Sequence, residues 1–481
     1  MPSTMLTLAD TIEALTGVRP EQATAIITEA AIDSRQAIPG SLFVALRGER
    51  VDGHDFVAEA FQRGASFALI EHEITEPFPV LDLRRPPDTT ALTSLADSLA
   101  GPLCLRVENS LSALQQIARF WRRKLDLRVI GITGSVGKST TKELAAEVLS
   151  QRYHTLKNPG NLNNEIGLPL TILRLGSGHD RAVLEMGFYV PGEIAFLCDI
   201  ALPQVGVVTN IGTVHAERAG SQEAIARGKA ELVQALPPAP EGVAILNYDD
   251  PWVRQMEEKT KARVFFYGLS PEADLWADDV QGLGLEGIRF RLHYRQETLH
   301  VRVPLLGRHS VHTALRATAV GLVEGLTWQE IFSGLRQGHT QLRLVAVRSE
   351  VGALILDDTY NASPQSTLAA LNLLDELEGR KVAVLGDMLE LGPYEQQGHE
   401  LVGLRAAQVA DLLVTFGERA HIIARAARRA GMRESAIAEF DEVEEVIAYL
   451  KKKLCREDVV LVKGSHGMRM DRIVAALEKQ E

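Results

Sequence analysis

The chain has 481 residues, of which 46% are hydrophobic and 24% are charged. These are the values of an ordinary globular protein, and they exclude a disordered or low-complexity chain. Because a single hydrophobic core rarely extends beyond about 250 residues, the length predicts two to four domains. The formal net charge of -12 opposes a broad positive surface, so binding of nucleic acid or anionic lipid is not the expected activity.

The three cysteines, Cys104, Cys198 and Cys455, lie far apart in the chain. Their spacing indicates neither a disulfide framework nor a zinc site. The first residues contain no basic segment followed by an apolar one, and no later stretch is apolar over the length that a bilayer requires. We therefore expect a protein of the reducing cytoplasm without a membrane span.

The first hundred residues mix short strands and helices. SLFVALRG (41–48) has the apolar character of a strand, and FVAEAFQRGA (56–65) has the apolar period of a helix. The polar stretch RRPPDTT (84–90) is typical of a weakly structured segment. The pattern changes again near residues 107–112, where we expect the first domain boundary.

From residue 128 onward, short apolar runs alternate with longer segments of helical period. The runs end in Gly, Asp, Asn or Thr, and this alternation is typical of a parallel sheet with crossover helices. Polar residues follow the carboxyl ends of the runs, where open α/β sheets bind ligands. The predicted strands lie within residues 127–134, 180–187, 204–212, 241–250, 262–268, 353–361, 380–388, 411–417 and 458–465.

Between residues 267 and 306 the apolar runs become shorter and alternate with polar residues. This pattern predicts a small antiparallel sheet appended to the first parallel unit. A long helix around ALRATAVGLVEG (314–325) follows, and the pattern is interrupted at residues 337–343. We therefore predict an α/β protein with three domains, at residues 1–108, 109–338 and 339–481.

The sharpest motif is GITGSVGKSTTKELAAEVL (131–149), a strand, a glycine turn and a helix in that order. Backbone N–H groups of Gly134 to Lys138 are expected to converge on phosphate oxygens. Lys138 would neutralise the β and γ phosphates, and the Ser139 hydroxyl would bind Mg²⁺. The spacing departs from the strict phosphate-loop pattern, because Ile132 stands where that pattern has its first glycine. A glycine-rich turn without a nucleotide is the alternative.

Phosphoryl transfer also needs metal ligands, so polar residues at other strand ends are candidates. Glu185 closes the run AVLEMG, and His215 follows VVTNIGT. Taken alone, a Glu at a strand end is more often a capping or ion-paired residue, and a single His is more often structural. Their recurrence at successive strand ends nevertheless favours function. Lys229 lies in a helical stretch where a solvated lysine is the default interpretation.

Two further polar segments follow predicted strands. NYDDP (247–251) has the character of a base or ribose contact, and a polar turn is its alternative. DDTYNASP (357–364) combines two acids with Tyr, Asn and Pro. An aspartate there is a candidate ligand of ribose hydroxyls or of a cation, and turn capping is the alternative.

These motifs together resemble the Mur ligases of bacterial cell-wall synthesis, and among them the MurF type. The similarity runs nearly end to end and rests on about a dozen ordered motifs. They include DSR (33–35), PGSLFVALRG (39–48), DGHDF (52–56), TGSVGKSTTKE (133–143), NLNNEIGLPLTIL (161–173), TNIGTVHAERAGSQEAIARGKAEL (209–232), NYDD (247–250), DDTYNASPQS (357–366), VLGDMLELG (384–392) and LVKGSHGM (461–468).

The resemblance implies an N-terminal domain for a UDP-sugar, a central ATPase domain and a C-terminal Rossmann-like domain that brings a dipeptide. The implied activity is ATP-dependent joining of D-alanyl-D-alanine to UDP-N-acetylmuramoyl-tripeptide through an acyl phosphate. ATP and two Mg²⁺ ions are the implied cofactors, and we expect a monomer. The alternatives are another ligase of the same superfamily, either a MurE-like amino-acid adder or a folylpolyglutamate synthase, and a nucleotide-regulated binding protein.

The resemblance also assigns residues. The nucleotide would contact Gly134, Ser135, Gly137, Lys138, Ser139, Thr140, Asn247 and Asp358. Mg²⁺ would be held by Ser139, Glu185, His215 and Lys229, of which Lys229 is the position that Mur ligases carbamylate. The catalytic set would be Lys138, Glu185, His215 and Lys229. The substrates would contact Ser34, Arg35, Asp52, Gly53, His54, Asn163, Asn164, Tyr360, Asn361 and Lys463.

The chain differs from the usual residues of the family at several positions. Ser139 stands in place of a threonine, and Ser310 and Thr313 stand where asparagines are usual. Ser363 replaces an asparagine, and His466 replaces an arginine. We therefore expect this chain to differ from the usual family member in two contacts. They are the adenine contact at Ser310 and Thr313 and the dipeptide contact at His466.

Overall fold

The computed structural model describes residues 5–48, 51–75, 77–87, 99–213, 216–337 and 345–478. Its strands form three sheets, each within one of the three predicted segments of the chain. All three sheets are parallel or mainly parallel and carry helices, so the predicted α/β class is confirmed.

The N-terminal sheet has five parallel strands in the order β1-β2-β3-β5-β4. Its α-helices are Leu8–Thr16 and Val57–Gln62, and short 3-10 helices span Ser34–Gln36 and Gly53–Phe56. The strands are β1 (Ala30–Ala31), β2 (Leu42–Val44), β3 (Phe67–Ile70), β4 (Val80–Asp82) and β5 (Leu103–Arg106).

The central sheet has nine strands in the order β14-β13-β12-β11-β10-β9-β6-β8-β7. The strands are β6 (Arg128–Thr133), β7 (Thr155–Lys157), β8 (Arg181–Glu185), β9 (Val205–Val208), β10 (Val243–Asn247), β11 (Arg263–Gly268), β12 (Leu275–Gly282), β13 (Ile288–Tyr294) and β14 (Glu297–Val303). The α-helices are Ser110–Lys124, Lys138–Leu149, Gly167–Ile172, Glu193–Ala201, Ala216–Ala219, Gln222–Gln234, Pro251–Arg254, Val311–Val323 and Trp328–Gln337.

The predicted antiparallel sheet is present as β12, β13 and β14, but it is not a separate sheet. β12 pairs in parallel with the end of β11 and antiparallel with β13. The three strands therefore extend the central sheet, and their inward residues join the same hydrophobic cluster as those of β6 and β9.

The C-terminal sheet has six strands in the order β15-β16-β20-β17-β18-β19, and only β15 is antiparallel to its neighbour. The strands are β15 (Val345–Arg348), β16 (Leu354–Asp358), β17 (Arg380–Gly386), β18 (Leu412–Phe416), β19 (Ile437–Phe440) and β20 (Asp458–Lys463). The α-helices are Pro364–Glu376, Glu395–Val409, Ala420–Arg429, Val443–Lys453 and Asp471–Leu477.

Local sequence explains where the elements begin. Thr7 and Asp10 form a reciprocal capping box at the start of helix Leu8–Thr16. Ser363 caps helix Pro364–Glu376, and the proline occupies a first-turn position that has no N–H to lose. The central strands β6 and β9 are buried along almost their whole length, because helices cover both faces of the parallel sheet. Within the described residues, no helix has the length and apolar character needed to cross a bilayer.

Candidate active site

The glycine turn after β6 has the geometry of a phosphate-binding loop. Gly134 has φ 143° and Gly137 has φ 82°, and side-chain-bearing residues rarely adopt these values. A Cβ at Gly134 would also overlap the Thr209 hydroxyl. Helix Lys138–Leu149 begins directly after Gly137, so its N-terminal N–H groups and its positive dipole end lie at the turn.

The end of the neighbouring strand β9 holds this turn in place. Ser135 N donates to Asn210 O at 2.9 Å, and Val136 N donates to Asn210 Oδ1 at 2.9 Å. The Thr209 hydroxyl donates to Val136 O at 2.7 Å, and Gly212 N donates to Ser135 Oγ at 2.8 Å. The shape of the turn therefore depends on contacts with residues about 75 positions later in the chain.

Two lysines meet at this turn. Lys138 Nζ and Lys229 Nζ each donate to Gly134 O at 2.9 Å. Lys229, which lies on helix Gln222–Gln234, is only 1% exposed. Burial, together with the charge of Lys138, lowers the pKa of Lys229 well below its ordinary value of 10.5. The default interpretation of Lys229 as a solvated lysine is therefore wrong.

Glu185 lies at the end of β8 and faces the first turn of helix Lys138–Leu149. Ser139 Oγ donates to Glu185 Oε2 at 2.6 Å, and Asn163 Nδ2 donates to Glu185 Oε1 at 3.0 Å. The carboxylate is 2% exposed. A hydroxyl, a carboxylate and a carboxamide in contact with one another are hard oxygen donors of the kind that suit Mg²⁺.

Sequence reasoning missed Lys142 and Asn158. Lys142 is 1% exposed, and its Nζ lies 4.0 Å from Glu185 Oε2. It donates to Asn158 O at 2.8 Å and to Gly160 O at 3.0 Å. Asn158 in turn bonds both backbone groups of Glu185, accepting from its N at 2.9 Å and donating to its O at 3.1 Å. The available signal for Lys142 was its position four residues after Lys138, which places both on one helix face.

A cavity of about 400 Å³ opens in front of these groups. Its walls come from the central sheet region and from the loop that follows β16. The predicted site residues that line it are Ser135, Lys138, Asn163, Asn164, Glu185, Tyr360 and Asn361. Thr140 is half-buried in the first turn of helix Lys138–Leu149. His215 lies outside the described residues.

Three other predicted residues lie at strand ends near this cavity. Asn247 Nδ2, at the end of β10, donates to Thr209 O at 3.0 Å. Lys463 Nζ, at the end of β20, donates to Asp358 Oδ2 at 2.7 Å and to Asn361 O at 2.8 Å. The Asp358–Lys463 ion pair therefore holds the segment that carries Tyr360 and Asn361.

The predicted substrate residues of the N-terminal domain lie elsewhere, at a cavity of about 880 Å³ that is also lined by Asn109, Leu111 and Ile166 of the central segment. Ser34, Arg35 and Gly53 line it. The Ser34 hydroxyl donates to Glu59 at 3.0 Å, and Arg35 forms an ion pair with Asp33 at 2.7 Å. A Cβ at Gly53 would lie 2.6 Å from Leu46 O, so this position has no room for a side chain.

Asp52 and His54 form a hydrogen-bonded pair beside that cavity. Asp52 Oδ1 lies 2.5 Å from His54 Nδ1, and the hydrogen bond from His54 N lowers the pKa of Asp52 to about 2. With His72 they form a cluster whose potential metal ligand atoms lie within 4.8 Å of one another. His54 Nε2 already accepts from Glu71 N at 2.9 Å, so both ring nitrogens of His54 are engaged and the cluster does not favour a metal site.

Three family models match this chain. The Mur ligase middle domain matches residues 132–321, the Mur ligase, glutamate ligase domain matches residues 343–466, and the Mur ligase family, catalytic domain matches residues 26–94. The chain belongs to the Mur ligase family. The resemblance inferred from the motifs is thereby confirmed.

Relatives of this Mur ligase match it over nearly its whole length. A protein of Bacillus subtilis (strain 168) named UDP-N-acetylmuramoyl-tripeptide--D-alanyl-D-alanine ligase is 35% identical over 95% of this chain and 94% of its own. A crystal structure of MurF from Acinetobacter baumannii has a TM-score of 0.82 at 30% identity and covers 98% of this chain and 99% of that one. MurF ligase from Thermotoga maritima in complex with ADP has a TM-score of 0.76 at 28% identity, covering 95% and 98%.

The positions at which this Mur ligase differs from the usual motif have local partners. Ser310 Oγ donates to Leu306 O at 2.6 Å, and Thr313 Oγ1 accepts from Arg316 at 2.8 Å. The His466 ring lies 6.1 Å from that of Tyr360, at an angle of 46°. Ser310 and Thr313 are thus engaged with their own helix region.

Proposed function

We propose that this Mur ligase joins D-alanyl-D-alanine to UDP-N-acetylmuramoyl-tripeptide at the expense of ATP, in cytoplasmic synthesis of peptidoglycan precursors. The observation that carries the proposal is the common cavity of the phosphate loop, Glu185 and the segment after β16. A site of this kind places a triphosphate beside groups from a second domain. The named activity of the relatives and the ADP complex of one neighbour support the same conclusion.

The three domains have separate roles in this proposal. Residues 1–108 bind the UDP-sugar end of the acceptor, residues 109–338 bind ATP, and residues 339–481 bring the dipeptide. The division is supported by the three sheets and by the separate cavity that Ser34, Arg35 and Gly53 line. The proposal also takes the protein to act as a monomer.

The first chemical step activates a carboxylate. Amide formation directly from a carboxylate would require oxide as the leaving group, so an oxygen of the terminal carboxylate of the tripeptide attacks the γ-phosphorus of ATP. The β–γ bridge bond breaks, and ADP and an acyl phosphate form. Two anions must approach each other, and Lys138 with the N–H groups of Gly134 and Gly137 offsets that repulsion. The Ser135 N–H already donates to Asn210 O, so Ser135 contributes through the shape of the loop.

The second step forms the amide bond. The amine of D-alanyl-D-alanine attacks the acyl carbon, the tetrahedral intermediate loses phosphate, and the amine gives up its proton. In the proposal, Tyr360, Asn361 and Lys463 position the dipeptide, while Asn163 and Asn164 contact the acceptor. Asn247 is assigned to adenine and Asp358 to ribose.

Ser139 and Glu185 fit a first Mg²⁺ because they are oxygen donors already in contact. Mg²⁺ at this position, when bound, supplies charge stabilisation for the phosphoryl group. The assignment of His215 and Lys229 to a second Mg²⁺ remains part of the proposal. The lowered pKa of Lys229 supports it, because only a neutral amine adds CO₂ to become a carbamate with carboxylate character.

The test offers the purified chain ATP with two substrate pairs. UDP-N-acetylmuramoyl-tripeptide is supplied with either D-alanyl-D-alanine or meso-diaminopimelate, and phosphate release and product mass are measured. The expected product contains the dipeptide less one water. A diaminopimelate adduct would point to an amino-acid adder, and ATP hydrolysis without any adduct would point to a nucleotide-regulated binding protein.

A further inference from the structure

Arg316 is a buried charge beside the phosphate loop that the proposed mechanism does not use. It lies on helix Val311–Val323 and is 4% exposed. Its Nε donates to Thr141 Oγ1 at 2.8 Å, its Nη2 to Thr313 Oγ1 at 2.8 Å, and its Nη1 to Tyr267 Oη at 3.4 Å. All three partners are hydroxyls, and no carboxylate among the described residues lies within ion-pair distance of the guanidinium.

Other buried or partly buried arginines of this chain are compensated differently. Arg122, which is 3% exposed, donates to four backbone carbonyl oxygens. Arg128 and Arg181 share the buried carboxylate of Glu324. A guanidinium stays protonated inside a protein, so a buried one without a counter-charge is unfavourable. The charge of Arg316 is therefore balanced by hydroxyl groups and by no carboxylate of the described residues.

The guanidinium also lies against the phosphate loop. A Cβ at Gly137 would be 2.9 Å from Arg316 Nη2. The Thr141 hydroxyl, which accepts from Arg316, donates in turn to Gly137 O at 2.6 Å. The position of Arg316 is therefore coupled through one hydroxyl to a carbonyl of the loop.

A second connection runs through Tyr267. Its hydroxyl accepts from Arg316 and lies 3.1 Å from Thr209 O, to which it donates. The side chain of Thr209 donates to Val136 O at 2.7 Å. Both connections thus end on carbonyl oxygens of the loop, at Val136 and Gly137. Asn210 holds the N–H groups of Ser135 and Val136, so the loop is fixed at both carbonyls and N–H groups. Phosphate oxygens would then meet the N-terminus of helix Lys138–Leu149, which begins directly after Gly137.

We infer that Arg316 is a positioning residue for the polyphosphate of the nucleotide. It orients the loop carbonyls through Thr141 and Tyr267, and its charge acts on the β and γ phosphates from behind the loop. The inference rests on the proposed ATP site and deepens it. The phosphates would then be near two positive side chains, Lys138 and Arg316, of which Arg316 lies on helix Val311–Val323.

The test compares Arg316→Met, which removes the charge but keeps an unbranched side chain, with Arg316→Lys, which keeps the charge. Arg289→Met on the exposed face of β13 is the control for loss of one positive charge. Isothermal titration gives the Kd of each protein for ADP and AMP, and thermal unfolding without nucleotide gives the Tm.

We expect Arg316→Met to weaken the binding of ADP by about tenfold and the binding of AMP by much less, because AMP has no β-phosphate. Arg316→Lys should retain more ADP affinity than Arg316→Met. The Tm without nucleotide should not fall, since the variant removes a buried charge without a counter-ion. In the ligation assay the KM for ATP should rise more than kcat falls.

Several results would overturn the inference. The first is an ADP affinity of Arg316→Met within twofold of the wild type. The second is an equal loss of affinity for ADP and for AMP together with a lower Tm. The third is an equal loss of ADP affinity in Arg316→Met and Arg316→Lys. If Arg316→Met does not fold, Tyr267→Phe removes one connecting hydroxyl, and unchanged ADP binding by that variant would also overturn it. Absence of ADP binding by the wild type would instead count against the proposed ATP site itself.

Discussion

At the scale of single residues, Lys138 and Lys229 share one acceptor, the carbonyl oxygen of Gly134. The carbonyl therefore lies between the amine of Lys138 and an amine whose pKa is lowered by burial and by the charge of Lys138. Lys138 is only partly buried, whereas Lys229 is enclosed. The two lysines are therefore expected to contribute differently, Lys138 as a charge beside the phosphates and Lys229 as an amine open to modification.

Lys138→Ala should abolish ATP-dependent ligation, with a fall in kcat of about a hundredfold or more, because the charge on the transferred phosphoryl group loses its partner. Far-UV circular dichroism and the Tm should remain close to the wild type, since the Lys138 side chain is only partly buried and donates to Gly134 O and Ser135 O of its own turn. Lys451→Ala, on the exposed last turn of helix Val443–Lys453, is the matched control. Near-normal turnover in Lys138→Ala would refute the assignment of the loop.

Lys229→Ala should lose activity and regain part of it when formate or acetate is added. The lowered pKa of Lys229 favours its neutral amine, which is the form that reacts with CO₂, and a small carboxylate would replace the lost carbamate. Phosphate release across a series of carboxylate concentrations measures the recovery. Activity unaffected by the substitution would remove the proposed role of Lys229.

Lys142→Met tests a residue that motif reasoning passed over. Removing Lys142 takes away a buried cation that lies 3.2 Å from Glu143 and 4.0 Å from Glu185, and it frees two loop carbonyls. We therefore expect a loss of about 3–5 kcal/mol in the free energy of unfolding. Urea unfolding measures it, with the exposed Lys453→Met as the control. A difference below about 0.5 kcal/mol would show that Lys142 does not hold this part of the site.

At the scale of elements, one contact links the end of β17 to helix Glu395–Val409. His399 is fully buried, with Nδ1 donating to Glu395 O at 2.8 Å and Nε2 accepting from Met388 N at 3.1 Å. Both bonds require the neutral ring. Burial lowers the pKa of His399 below its ordinary value of 6.5, although Glu395 and Asp387 oppose the shift.

This pair of bonds predicts acid sensitivity of the C-terminal domain. Below about pH 6.5 the unfolded chain takes up a proton at His399 that the folded chain does not, so stability should fall as the pH decreases through that value. His399→Gln should be less stable than the wild type at pH 8, and the difference in Tm should shrink towards pH 5. His300→Gln, on exposed β14, is the control, and a difference independent of pH would contradict the prediction.

Among the strands after residue 128, sequence reasoning did not predict the short strands β7, β15 and β19. Each of them is the last strand at an edge of its sheet. TLK, VAVR and IAEF span only three or four residues, and an edge strand needs no continuous apolar run because it is covered less completely. The buried strands β6, β9, β10, β17, β18 and β20 were predictable, because burial on both faces requires an apolar run.

At the scale of the whole molecule, the site depends on contact between the central and C-terminal domains. Gly212 packs against Gln365, because a Cβ added to Gly212 would lie 2.8 Å from Gln365 Oε1. Glu217 N donates to Glu390 O at 3.5 Å. These contacts bring the end of β9 and the segment after β16 together beside the phosphate loop. Binding of the dipeptide beside the phosphate loop therefore requires the central and C-terminal domains to stay in contact.

The amino-acid sequence by itself determined the α/β class, the family and the phosphate loop, because each of these depends on local periodicity or on a short motif of fixed spacing. The roles of the individual site residues stay predictions. Only the tertiary structure decided that Lys229 is enclosed, that Lys142 lies beside Glu185 and that Arg316 lies behind Gly137. Arg316 and Gly137 are 179 positions apart, and no local pattern specifies such a neighbour. Burial and ion pairing arise from the packing of distant segments, which short motifs do not describe.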